Sequence, residues 1–108
     1  MTFEEYQAAA ARTINTRLSD SERLLDAAAG LAEEAGEILG AVRKQAFQSK
    51  PMDRDALALE LGDALWCLAV AAQSSGFTLA DVAARNVAKL RARYPDGYRD
   101  AGASGREK

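Results

Sequence analysis

Five acidic side chains, in two short groups, are the residues of this chain best suited to do chemistry. Glu33, Glu34 and Glu37 form the first group, and Glu60 and Asp63 form the second. In an α-helix, at about 100° per residue, the first three lie within an arc of roughly 100°. Residues three apart also share a helix face, which pairs the other two. If the two helices pack antiparallel across a short connection, both groups meet at one level.

Such a meeting of carboxylates predicts a divalent cation. Four or five of them in an apolar setting would repel one another and lose hydration, and a hard cation removes both penalties. All-oxygen ligation suits Mg²⁺, Mn²⁺ or Ca²⁺. The alternative is a solvated acidic face, but the flanking residues are largely apolar: Leu31, Ile38, Leu59, Leu61, Ala64 and Leu65. Gly36 and Gly62 interrupt the two groups, and we expect them to allow close approach of a helix or a ligand.

Several other kinds of site are excluded by composition. The chain has no histidine, which removes Ser-His-Asp and Cys-His nucleophiles, His-ligated zinc and the Glu-x-x-His di-iron bundle. Its single cysteine, Cys67, lies in an apolar run and is expected to be a buried, inert thiol.

A group of polar and basic residues near the end of the chain could bind phosphate. Asn86, Lys89 and Arg93 are spaced by three and four residues, so they share a helix face, and Tyr94 follows directly. Cations beside a metal site can hold a polyphosphate. The alternative, a solvated basic face, stays open at this point.

The composition indicates one globular domain. The chain has 108 residues, of which 48% are hydrophobic and 28% charged, and a net charge of −2. That charge suggests neither a nucleic-acid polymer nor a membrane as a partner. The longest apolar stretch, 56–72, contains two acidic residues and is too short for a membrane span. The acidic N-terminus shows no signal-peptide pattern, so a cytoplasmic protein is expected.

Four capping signals predict an all-α fold of four helices, and no strand pattern competes with them. The signals are Thr2 with Glu5, Ser19 with Glu22, Asp53, and Thr78 with Asp81. The first predicted helix has apolar residues at helical spacing from Phe3 to Ile14, and the other three end near Phe47, near Ser75 and before Pro95. Residues 1–98 are predicted to form the domain, and 99–108 a flexible tail.

The third predicted helix is apolar around its whole circumference. Its apolar residues include Leu57, Leu59, Leu61, Leu65, Trp66, Leu68 and Val70. A helix of this kind needs neighbours on every side, and a four-helix monomer can hardly provide them. We therefore expect a homo-oligomer.

The two acidic groups resemble a known signature. The pattern 33-EEAGE-37 followed by 60-ELGD-63 is similar to the E-E-x-x-E…E-x-x-D motif of the MazG-like nucleoside triphosphate pyrophosphohydrolases. The segments 30-GLA-32, 64-ALW-66, 89-KL-90 and 93-RYPDGY-98 extend the resemblance over roughly residues 3–98.

The resemblance implies more than the residues show by themselves. It implies an all-α four-helix bundle that assembles as a homodimer or homotetramer. The implied activity is cleavage of the α–β phosphoanhydride of a nucleoside triphosphate. The implied cofactor is Mg²⁺, with Mn²⁺ able to substitute, and nucleotide-pool sanitation is one implied role. The implied metal ligands are Glu34, Glu37, Glu60 and Asp63. The implied catalytic acids are Glu33 and Glu34, with Glu33 as a further ligand or the group that activates water. The implied phosphate and sugar contacts are Asn86, Lys89, Arg93 and Tyr94.

Two alternatives are kept. The first is the phosphoribosyl-ATP pyrophosphohydrolase of histidine biosynthesis, although its lysine-rich approach to the first acids is absent from residues 24–32. The second is a non-catalytic helical interaction module. Base specificity cannot be assigned, and Gln7, Asn15 and Trp66 are each as compatible with a structural role as with base contact.

Overall fold

The computed structural model describes residues 1–98, which form four α-helices and no β-strand. The helices are α1 (Phe3–Ala11), α2 (Asp20–Gln48), α3 (Arg54–Ser74) and α4 (Leu79–Arg93). The predicted all-α class and the helix number are therefore confirmed. The predicted tail, 99–108, lies outside the described residues.

Each helix begins at the predicted capping residue. Thr2, Ser19 and Thr78 each accept a hydrogen bond from the backbone three residues ahead, and the acid at that position bonds back to the cap. Asp53 accepts from the amide of Ala56 at 3.0 Å to start α3. The helix ends at Ser74, and the φ of +84° at Gly76, two residues later, suits glycine and stops the helical path.

The helices α2 and α3 form a long antiparallel hairpin. Gly30 of α2 lies beside Cys67 of α3, and further along α2 the side chain of Glu37 lies beside Glu60. Residue numbers thus rise along α2 as they fall along the neighbouring part of α3, so the two helices run antiparallel. Among the helices of the described chain, α2 packs only against α3, whereas α1 and α4 pack on α3 and on each other.

The small core lies where α1, α3 and α4 meet. Ala10, Ala69 and Leu79 are buried there, and the partly buried side chains around them are Tyr6, Leu65 and Trp66. Gln7 links the same three helices, because its Oε1 accepts from the Leu79 amide at 2.8 Å and its Nε2 donates to the Ala69 carbonyl at 3.3 Å.

Much of the hairpin remains uncovered. The four helices do not close a bundle around one core, since neither α1 nor α4 packs on α2 in the described chain. Large apolar side chains stay exposed as a result: Phe47 at 79%, Leu59 at 74% and Leu61 at 52%. None of the helices within residues 1–98 is long and apolar enough to cross a membrane.

Candidate metal centre

Three of the predicted acids come together in the middle of the hairpin. Glu34, Glu37 and Glu60 can each offer a carboxylate oxygen such that all three oxygens lie within 4.8 Å of one another. We call these three residues the acidic triad. The antiparallel register of α2 and α3 positions them, because it places Glu34 and Glu37 of α2 opposite Glu60 of α3.

One oxygen of the triad is buried without compensation. Oε1 of Glu34 is inaccessible to solvent and has no hydrogen-bond partner in residues 1–98. A buried carboxylate oxygen in that state is costly unless a cation or a proton meets it. Carboxylate oxygens are the ligands that Mg²⁺, Mn²⁺ and Ca²⁺ prefer, so the donor set fits such an ion.

The carboxyl groups of the triad also change one another's pKa values. The pKa of Glu37 is raised, first because its protonated carboxyl can hydrogen-bond Glu60 and then because of the negative charge of Glu60. The pKa of Glu60 is raised mainly because its carboxyl can hydrogen-bond Glu34. Both shifts have the sign expected for carboxylates that crowd one another without a cation.

Glu33 and Asp63, the other two predicted acids, are exposed and lie beside the triad. The negative charges of both residues raise the pKa of Glu37. The structure therefore brings all five acids into one neighbourhood, but only three of them into a compact cluster.

Two clefts flank the triad along the hairpin. The first, which we call the Trp66 cleft, has a volume of about 570 Å³. It is lined by Asp26, Ala29, Gly30, Glu33, Glu34, Asp63, Trp66 and Cys67. The second, which we call the lysine cleft, has a volume of about 480 Å³, and Glu37 and Glu60 line it together with Lys44 and Lys50. The triad therefore forms the boundary between the two.

A comparison with known families agrees with this geometry. The model of the MazG nucleotide pyrophosphohydrolase domain matches residues 23–98, which include both acidic groups and α4. The chain belongs to the MazG family. At the level of the family, the MazG domain indicates a hydrolase that acts on nucleotides as a pyrophosphohydrolase. No curated protein and no solved structure matches the chain.

The predicted phosphate-binding residues of the MazG domain do not lie on either helix of the hairpin. They are on or directly after α4, which does not pack against α2 in the described chain. Asn86 and Lys89 are exposed, whereas Arg93 and Tyr94 are half-buried. Tyr94 contacts Tyr98, with the ring centroids 5.9 Å apart.

The three residues considered for base contact in the MazG domain differ in their environments. Gln7 uses both ends of its amide to join α1 to α3 and α4, which is a structural role. Asn15 accepts a hydrogen bond from the amide of Arg17 in the connection between α1 and α2. Of the three, Trp66 is the residue that lines the Trp66 cleft beside the triad.

The expectation that Gly36 and Gly62 allow close helix approach within the chain is wrong. A Cβ atom added at either position would have nothing within 4 Å. The close approach is at Gly30, where a Cβ would lie 3.1 Å from the Cys67 sulfur. Cys67 is buried, as predicted, and burial raises its pKa, as do the charges of Glu34 and Asp63.

Sequence reasoning also missed one wall of the Trp66 cleft. Asp26, Ala29, Gly30 and Glu33 follow the i, i+3, i+4, i+7 spacing of one helix face. That spacing was visible in the sequence, but the face is mostly small and polar and does not follow an apolar pattern.

Proposed function

We propose that this MazG domain hydrolyses nucleoside triphosphates at the α–β phosphoanhydride, releasing a nucleoside monophosphate and pyrophosphate with Mg²⁺ as cofactor. The observation that supports this most strongly is the acidic triad, with its buried and unpaired Glu34 oxygen, inside a domain of this family. Mn²⁺ is proposed as a substitute ion, because it accepts the same oxygen ligands.

In this proposal, Glu34, Glu37, Glu60 and Asp63 hold the cation. Once bound, the cation neutralises charge on the phosphate chain and polarises the phosphoryl oxygens. Glu33 is exposed at the edge of the Trp66 cleft, where its carboxylate can accept a proton from an attacking water. No covalent intermediate is needed, since positioning and charge neutralisation account for most catalysis in such transfers.

Asn86, Lys89, Arg93 and Tyr94 are proposed to contact the phosphates and the sugar. Since α4 does not pack on α2 of the same chain, this role favours an oligomer in which a second copy covers the triad. The exposed apolar side chains of the hairpin support such an assembly. We therefore propose a homodimer or homotetramer. The role that we propose for its activity is nucleotide-pool sanitation.

The test is a panel of ribo- and deoxyribonucleoside triphosphates, together with phosphoribosyl-ATP, assayed with Mg²⁺, with Mn²⁺ and with a chelator. Anion-exchange chromatography should find a monophosphate and pyrophosphate in the metal-containing reactions only. Glu37→Gln should abolish turnover, whereas Glu4→Gln, an equal change at an exposed site on α1, should preserve it. Release of orthophosphate and a diphosphate would contradict the proposal, and exclusive use of phosphoribosyl-ATP would favour the histidine-biosynthesis alternative.

A further inference from the structure

The Trp66 cleft lies between the two helices of the hairpin. Trp66 and Cys67 of α3 line it together with Ala29 and Gly30 of α2. The two helices are in close contact at Gly30, where an added Cβ would lie 3.1 Å from the Cys67 sulfur. The part of α2 that lines the cleft beside the aromatic ring therefore includes two small residues, which leave room for a ligand.

The indole of Trp66 is held in one orientation. Its Nε1 donates to the hydroxyl of Thr13 at 2.8 Å, and that hydroxyl donates to the Ala10 carbonyl at 2.7 Å. The ring also packs against the buried core of α1, α3 and α4. Because its polar atom is already bonded, Trp66 offers the cleft a fixed apolar ring surface. Nucleobases stack on such surfaces whatever their identity.

The charges of the two clefts set the direction of a nucleotide across the triad. Four carboxylates and no basic residue line the Trp66 cleft. The lysine cleft has two basic residues, Lys44 and Lys50, together with the carboxylates of Glu37, Asp53 and Glu60. A phosphate chain is repelled by carboxylates that no cation neutralises and is attracted by ammonium groups. The terminal phosphates therefore belong on the lysine side, which leaves the Trp66 side for the nucleoside.

Asp26 lies at the far end of the Trp66 cleft. It is eight residues before Glu34, or about 12 Å along the helix, so it is remote from the acidic triad. Its carboxylate is exposed and has no hydrogen-bond partner within residues 1–98. A carboxylate accepts hydrogen bonds from the exocyclic amino group of cytosine or adenine, and it repels a carbonyl oxygen at the same place.

We propose that the Trp66 cleft binds the nucleobase by stacking on Trp66, and that Asp26 selects bases with an exocyclic amino group. This inference rests on the proposed nucleotide substrate and deepens it by naming the substrate class and the residue that reads it. Bases with a carbonyl group at that position, such as uracil and hypoxanthine, are disfavoured.

The experiment uses the fluorescence of Trp66, which is the only tryptophan of the chain. The protein with Mg²⁺ is titrated with CMP and UMP, and with AMP and IMP. The amino-bearing member of at least one pair should quench Trp66 and bind about tenfold more tightly than its partner. Asp26→Asn should reduce that ratio to near one, because an amide can either donate or accept. Asp55→Asn, which removes an equal charge outside both clefts, should leave the ratio unchanged.

A second variant tests the Trp66 cleft itself. Ala29 is exposed, so Ala29→Leu adds bulk to the cleft without disturbing a buried position. It should weaken binding of the preferred monophosphate at least tenfold while the circular dichroism spectrum stays that of the parent.

The possible failures are distinguishable. Hydrolysis of triphosphates with no change in Trp66 fluorescence, or an unchanged base ratio in Asp26→Asn, would overturn the inference and leave the proposed function standing. Saturable, amino-selective quenching without any hydrolysis would support the inference and contradict the proposed function.

Discussion

Replacing Glu37 by glutamine should separate the acidic triad from an ordinary acidic surface. The variant removes one of three converging carboxylates and preserves the size of the side chain. Without metal, it should be as stable as the parent or more stable, because Glu37 no longer repels Glu60. With Mg²⁺, it should gain much less stability than the parent, because a ligand is lost.

The size of the effect follows from binding linkage. An ion present at one hundred times its dissociation constant stabilises the folded state by about 2.7 kcal/mol. For a domain of this size that corresponds to a rise in Tm of about 10–20 °C. Loss of a group that merely hydrogen-bonds a metal ligand can weaken metal binding up to about a hundredfold. If losing the Glu37 carboxylate weakens Mg²⁺ binding by that factor, the ion stabilises the variant by only about 0.4 kcal/mol. The variant's Tm should then rise by about 2–3 °C at the same Mg²⁺ concentration.

The pH dependence of the metal-free protein gives an independent measurement. The pKa values of Glu37 and Glu60 are raised in the folded chain, so between their unfolded and folded pKa values the folded state binds more protons than the unfolded state. The free energy of unfolding should therefore fall as pH rises above the ordinary glutamate range toward neutrality. Glu37→Gln should flatten this slope, and saturating Mg²⁺ should reverse the loss in the parent.

The assay is thermal unfolding at fixed protein concentration, with and without Mg²⁺, for the parent, Glu37→Gln and the control Glu4→Gln. Fixed concentration is needed because association also stabilises the folded state. An equal Mg²⁺-induced rise for the parent and Glu37→Gln would refute the assignment of the triad. An equally reduced rise for Glu4→Gln would show that the effect is one of general charge.

Three further predictions test the packing. In urea unfolding, Gln7→Ala should destabilise the fold by about 2–3 kcal/mol, because it removes two hydrogen bonds and leaves the buried Leu79 amide unpaired. The control Gln45→Ala, at an exposed site, should change stability little. Gly36→Ala should stabilise the protein by about 0.5–1 kcal/mol, because alanine favours the helix and the space around Gly36 is open. Gly30→Ala should give no such gain, because the added Cβ would lie too close to the Cys67 sulfur. A gain in stability for Gly30→Ala would contradict that contact. Light scattering should give a parent mass at least twice 11.5 kDa, and Leu59→Lys should lower it; a monomeric parent would disprove the oligomer.

The helix starts could be predicted because capping is a local property. Thr2, Ser19, Asp53 and Thr78 each need only a backbone amide three residues ahead, so the sequence contains both partners. The meeting of the two acidic groups was also predictable, since an antiparallel hairpin with a short connection leaves few registers. Local patterns and hairpin geometry together were enough for the triad.

The features that could not be predicted depend on where helices sit relative to one another. Gly36 and Gly62 attracted notice because they interrupt the acidic motifs, yet the tight contact falls at Gly30, set by the level at which α2 meets Cys67. The role of Gln7 depends on α1 lying across both Ala69 and the start of α4, more than sixty residues away in sequence. Neither contact leaves a periodic signal.

The uncovered hairpin and the acidic triad both lower the stability of a single, metal-free chain. Within residues 1–98, no buried side chain is larger than that of Leu79, so the core of one chain contributes little hydrophobic stabilisation. Covering Phe47, Leu59 and Leu61 in an assembly would add up to roughly 1.5–3 kcal/mol for each side chain. The triad opposes folding until a cation binds, and two of its three residues, Glu34 and Glu37, lie on α2, the helix that α1 and α4 leave open. We therefore expect a second copy and a metal ion to contribute much of the stability of this chain, so that the assembled, metal-loaded state that we propose for catalysis is also the most stable one.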